Sequence, residues 1–114
     1  MSNRLRSDFW VSAYIRRCDV EGVEAVLRKR GAAEAGAIFV KVDRLDGTAS
    51  LFGPAPQVFL DDSGERLFSA ILVDATPLDV EERMTKEMKF DSDLWLVEVD
   101  DRIGRHFLDL SADG

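Results

Sequence analysis

Cysteine and histidine are nearly absent from this chain of 114 residues, each occurring once. One cysteine excludes an internal disulfide and any zinc site built from several thiolates, and it fits a reducing compartment. No apolar run approaches the roughly 20 residues that a spanning helix needs. The first eight residues are polar and lack the apolar core of an export signal. A cytoplasmic protein with no membrane partner is therefore expected. Glycine-rich phosphate loops, a nucleophile elbow, zinc-protease histidine pairs and kinase signatures are also missing. No cofactor and no dedicated metal site are expected, and catalysis is disfavoured without being excluded. Basic charge is short as well: 15 Lys and Arg face 22 Asp and Glu, a net charge of −7. Nucleic acid is thus a poor main partner, because phosphate binding normally requires a basic footprint.

What is present suits one domain over residues 1–114, with 111–114 expected to fray. At 46% hydrophobic residues the chain can close a core without covalent staples. Charge is uneven, with a net of +3 over residues 1–30 and −10 over 31–114. Trp10, Val11, Tyr14, Ile15 and Cys18 recur at the spacing of one helical face, with Ser7 or Asp8 as cap and Gly22 as stop. A strand is expected over Glu24 to Arg30. A second, Ala37 to Arg44, alternates Ile38, Val40 and Val42 with Phe39, Lys41 and Asp43, giving it one largely apolar face. Thr76-Pro77 opens a second helix whose buried stripe is Val80, Met84 and Met88, with Glu82 and Lys86 placed to pair on its outside.

Three turns end on glycine: Arg44-Leu45-Asp46-Gly47, Asp61-Asp62-Ser63-Gly64 and Asp101-Arg102-Ile103-Gly104. Each has the form of a three-residue hairpin loop, in which the last residue takes a positive φ. Pro54 and Pro56 mark an edge, bulge or crossing between the first two. The fold class is α+β: a mainly antiparallel sheet built from hairpins, with two amphipathic helices packed on one of its faces.

Candidate functional residues are few. If the last turn is a hairpin, Asp101 faces Arg105, Val99 faces Phe107 and Asp100 faces His106. Asp100 would then favour the charged imidazole. An ordinary cross-strand contact accounts for the same pair more simply. Arg102 could clamp an anion, and Trp10 or Tyr14 could wall a pocket. Arg16-Arg17 and Arg28-Lys29-Arg30 form either a basic patch or exposed ends that balance the acidic remainder. Cys18 falls on the apolar stripe and reads as a core residue. Asp61 to Glu65 lacks the ligand spacing of a calcium loop, and Glu98, Asp100 and Asp101 read as strand and turn acids.

Trp10-Val11-Ser12-Ala13 with Arg16-Arg17, Ala35-Gly36-Ala37-Ile38-Phe39-Val40-Lys41-Val42, Arg44-Leu45-Asp46-Gly47-Thr48, and Asp93 to Arg102 followed by Gly104-Arg105-His106 form a set of matched blocks. Together they resemble an uncharacterised, mainly alphaproteobacterial family catalogued as domain of unknown function 1491. The resemblance implies a small stand-alone protein and assigns no activity, substrate or catalytic residue. The leading expectation is a non-catalytic cytosolic domain that binds another protein or forms a homodimer, with Trp10, Tyr14, Arg16, Arg17, Asp100, Arg102 and His106 as the binding candidates. Two alternatives stay open. One is a small-molecule binder or enzyme using His106 with Asp100 and Arg102. The other is RNA association through the basic N-terminal third.

Overall fold

The computed structural model describes residues 5–56 and 66–111. Its elements run α1 (Ser7–Val20), β1 (Glu24–Lys29), β2 (Ile38–Asp43), β3 (Ala49–Pro54), β4 (Phe68–Ala75), α2 (Pro77–Phe90) and β5 (Trp95–Asp100). The five strands form one sheet in the order β1-β5-β2-β3-β4. Neighbours are antiparallel except β2 and β5, which run parallel. This is an α+β architecture.

Burial follows position in the sheet. Both neighbours of β2 and of β5 are strands, so neither has a free edge, and all but the end of β2 is buried, Lys41 included. The expected single apolar face on β2 is thus corrected. Ile38, Val40 and Val42 enter one core with Val11, Tyr14 and Cys18 of α1, while Phe39 enters a second with Val80 and Met84 of α2. The two helices therefore cover opposite faces of the sheet rather than one. An apolar strand with period-two alternation cannot reveal this, because apolar residues on both of its sides satisfy either arrangement. Where β3 crosses under α2, Gly53 leaves room for the Phe39 ring. A Cβ there would lie 2.9 Å from its Cε2 and 2.6 Å from Ile71 Cδ1.

The helix ends differ in how they are satisfied. Thr76 caps α2 through its side chain, which accepts from the Asp79 N–H at 3.1 Å, while the Asp79 carboxylate accepts from the Thr76 N–H. Val80 and Met84 are buried and Met88 packs against them, as the spacing predicts. On the outside, Arg83 pairs with Glu87 at 2.9 Å in place of the expected Glu82–Lys86 pair. α1 has no side-chain cap. Ser7 lies within the helix and its hydroxyl donates to Gly36 O at 2.7 Å, while the N–H groups of Ser7 and Asp8 donate to the carbonyls of Glu34 and Ala33. A distant loop therefore does the work expected of Ser7 or Asp8.

The β2–β3 turn is a hairpin, with Gly47 at φ 91° and Leu45 also in the left-handed region at 62°. The Asp61–Gly64 turn, with the acids up to Glu65, falls outside the described residues. β3 and β4 on either side of it are antiparallel neighbours. The third hairpin is not formed. Gly104 takes its positive φ of 82°, but residues 104–109 run on as an irregular strap rather than a strand beside β5. The physical reason is occupancy: both edges of β5 are already taken, by β1 and by β2.

The strap crosses the α1 face and closes the start of the free edge of β4. Phe68 N–H donates to Asp109 O, and Ser111 N–H donates to Phe68 O at 2.8 Å. Ser111, expected to fray, is thereby tied down. Residues 112–114 lie outside the described residues.

Candidate functional site

The sequence candidates divide between the two faces. Trp10, Tyr14 and His106 come together on the α1 side. Trp10 stacks on Tyr14 with ring centroids 4.9 Å apart and meets Phe68 at 5.2 Å. The Tyr14 hydroxyl donates to the His106 carbonyl at 2.7 Å, and the imidazole lies 4.8 Å from the Phe52 ring. His106 Nδ1 accepts the Leu108 N–H at 2.9 Å, which leaves the ring proton on Nε2. Burial pushes the histidine pKa down. Burial also raises Tyr14 and the Cys18 thiol, so neither is an activated nucleophile. Arg17 lies over the Phe107 ring at 5.3 Å. These contacts hold the strap onto α1.

Asp100 is elsewhere. Val97 and Val99 point into the α1-side core, so Glu98 and Asp100 project from the α2 face. In the sheet register Asp100 stands opposite Glu24 of β1 and Asp43 of β2, and no strand brings His106 to it. Val99 likewise faces Ala25 and Val42 rather than Phe107. Of the three expected pairings, Asp101 with Arg105 does form, as a turn contact at 2.9 Å that lowers the Asp101 pKa. Arg16 and Arg102 are both exposed, Arg102 within the turn that follows β5. The histidine, carboxylate and arginine of the proposed catalytic set do not meet.

A charged network that sequence reasoning missed occupies the part of the α2 face over β1, β5 and β2. Lys41 is only 5% exposed, and its ammonium lies 2.8 Å from Glu81 Oε2 and 3.7 Å from Glu98 Oε1. Arg28 spans the same two carboxylates, with Nη2 at 2.8 Å from Glu81 and Nη1 at 2.6 Å from Glu98. The Arg28 fork, then Lys41, draw the Glu81 pKa down to about 2. The signal was present in the sequence: a lysine inside the apolar run Ile38 to Val42 needs an acid if it is buried. What the sequence withheld was the identity of that acid, 40 residues downstream.

The same network dissolves the basic run at 28–30. Arg28 is neutralised, Lys29 donates to the carbonyls of Ser92 and Leu94, and Arg30 lies over the Trp95 ring at 5.2 Å. Next to the network, carboxylate oxygens of Asp43, Glu98 and Asp100 fall within 4.8 Å of one another. Burial, then the charges of Glu98, Asp43 and Glu24, push the Asp100 pKa up. Its Oδ1 is buried without a hydrogen-bond partner among the described residues. Oxygen donors of this kind suit a hard divalent cation, and among the described residues they form the one group so placed. Within the chain itself they repel.

A five-stranded α+β sheet with one helix on each face, a strap locking the first and an ion network beside the second, defines the class. The chain belongs to the family described as protein of unknown function DUF1491, whose model matches residues 5–109. The solution structure of protein Atu0922 from A. tumefaciens is similar at 44% identity and TM-score 0.81, covering 94% of each chain. The crystal structure of a DUF1491 family protein from Caulobacter crescentus CB15 is similar at 37% identity and TM-score 0.79, covering 95% of this chain and 98% of that one. An NMR structure of a DUF1491 family protein from the same organism matches at 38% identity and TM-score 0.77, covering 95% and 97%. No curated protein matches. Among the described residues no helix is long and apolar enough to cross a membrane.

Proposed function

We propose that the chain is a non-catalytic, cytoplasmic protein-binding domain that receives an extended segment along the free edge of β1. The observation that carries this reading is the character of that strand. Among the described residues β1 has β5 as its one neighbour, and its side chains alternate between exposed and half-buried along all six residues. Val26, in the middle, is 50% exposed. An open edge offers unpaired N–H and C=O groups to another extended chain, and a half-exposed valine gives that chain an apolar contact. The opposite edge strand is partly closed by the strap at Phe68.

Further support comes from chemistry that is otherwise engaged. His106 Nδ1 is occupied by a backbone donor, Cys18 is buried, and Arg28, Lys29 and Arg30 all have internal partners. This favours protein over nucleic acid as the ligand. The test selects extended peptides from a random displayed library and titrates them into the isotopically labelled protein. Binders are expected to shift the amide signals of Glu24 to Lys29, and Val26→Lys is expected to abolish the shifts. Selected peptides that perturb only other surfaces would overturn the proposal.

A further inference from the structure

We infer that the occupant of the β1 edge is a second copy of this chain, paired antiparallel about a two-fold axis through Val26, with Glu24 opposite the partner's Arg28. This rests on the edge-binding reading above and names the partner it leaves open.

The usable edge is short. At its start, Val23 is buried and its N–H is committed to Cys18 O. At its end, the register with β5 slips between Leu27 and Lys29, and Lys29 turns to the carbonyls of Ser92 and Leu94. Residues 24–28 remain. In a continuous antiparallel sheet, residues directly opposite one another share a face. The two residue numbers in each self-pair must therefore share parity, which places the dyad on a residue and not between two.

Centring on Val26 uses all five residues. On the α2 face Glu24 meets the partner's Arg28, Val26 meets its own copy, and Arg28 meets the partner's Glu24. On the α1 face Ala25 meets the partner's Leu27. Both of these residues are half-buried and already border the α1-side core. Moving the dyad to Ala25 or to Leu27 sets a charged residue against Val26 instead. The edge reads acid, three apolar residues, base, so its best complement is its own sequence reversed. That symmetry favours a second copy over an unrelated strand.

The hydrogen-bonding groups for this role remain, although the Arg28 charge is already balanced by Glu81 and Glu98. Glu24 is exposed and has no ion-pair or hydrogen-bond partner among the described residues, although its charge adds to the burden on Asp100. Arg28 directs Nη1 and Nη2 to Glu81 and Glu98, which leaves Nε–H and the second Nη2 hydrogen for a further carboxylate. The body of α2 stands back from the edge, over β3 and β4, and reaches β1 through the Glu81–Arg28 pair, while α1 packs against β1 on the opposite face.

Sedimentation velocity from micromolar to millimolar concentration tests the inference. The wild-type chain is expected to dimerise with rising concentration. Glu24→Arg, at an exposed site, sets like charges opposite each other twice per dimer and is expected to weaken association by about tenfold or more. Val26→Cys brings two thiols together at the dyad, within the reach of a cross-strand disulfide. Mild oxidation should link it covalently, while Val73→Cys, at an exposed valine of β4 on the far side of the sheet, associates as wild type but is not linked. Buried Cys18 does not compete.

A wild-type chain that stays monomeric throughout overturns the inference. So does a dimer indifferent to Glu24→Arg whose Val26→Cys form links no faster than Val73→Cys. If the chain is monomeric and selected peptides still shift the β1 amides, the second copy alone is ruled out and edge binding stands. If the peptides fail too, both readings fall.

Discussion

The two faces of the sheet solve the same covering problem with different chemistry. On the α1 side, helix and strap together bury Val11, Tyr14, Phe52, Phe68, Trp95 and Leu108 in one continuous apolar core. Here the Tyr14 hydroxyl, the Trp95 indole N–H and His106 Nδ1 each make one backbone contact. On the α2 side, the helix packs over β3 and β4, and ion pairs take its place toward β1. Apolar cover is held by transfer from water and by packing. An ionic cover gains far less, because the desolvation of its charges offsets most of their attraction. The difference bears on the proposed binding mode: the α1 side is closed by apolar packing, while the charged side runs out to the edge strand β1.

The largest expected effect lies on the sealed side. Phe68→Ala removes a fully buried ring that touches Trp10, in the strand that anchors the strap. It should cost about 4 kcal/mol in urea unfolding, with little dependence on salt. A loss under about 1 kcal/mol would contradict the continuous core.

A middling effect is expected from the network. Glu81→Gln leaves Lys41, almost wholly buried, without its nearest carboxylate. Because Glu81 is itself 37% exposed, solvent screens part of the penalty, and about 2 kcal/mol is expected in the same assay. Replacing both partners, Lys41→Met with Glu81→Leu, should return stability to within about 1 kcal/mol of wild type. A double variant as damaged as the single would mean that the pair itself, and not its imbalance, stabilises the fold.

The smallest effects separate the faces by acid. The folded-state pKa of Asp100 is raised, so the native state takes up this proton before the unfolded chain does. The penalty of the charged group is therefore full at neutral pH and is relieved as pH falls through the raised value toward the ordinary carboxylate range. Asp100→Asn should stabilise the fold by about 1 kcal/mol at pH 7, with the gain vanishing below about pH 4. His106 runs the other way. Its folded pKa is lowered, so its contribution is present above the ordinary histidine value of about 6.5 and is lost as pH falls through the lowered one. The Leu108 amide signal should follow that titration, since protonation of Nδ1 removes its acceptor. An Asp100→Asn gain that persists at pH 3, or a Leu108 midpoint above 6.5, would remove this contrast.

Much of the local structure was legible residue by residue. The Thr76-Pro77 start, the Val80, Met84 and Met88 stripe, the α1 stripe and the Gly47 turn all follow from interactions between residues a few positions apart, which the sequence states directly. The Asp101–Arg105 pair was found for the same reason. The candidate site was legible only in pieces. Trp10, Tyr14 and His106 do converge, around the strap, while the pairing of Asp100 with His106 depended on a third hairpin that does not form. A turn fixes the direction of the chain and not whether an edge is vacant to receive it.

By itself, then, the sequence determined the α+β class, both helices, the first hairpin and the family, since periodicity, caps and turn chemistry are short-range properties. Only the tertiary structure decided that β5 inserts between β1 and β2, that the helices lie on opposite faces, and that Lys41 and Arg28 share Glu81 and Glu98. Those outcomes depend on which edges and which charges remain unpaired once every strand is placed, a competition among groups as far apart in the chain as Glu24 and Asp100.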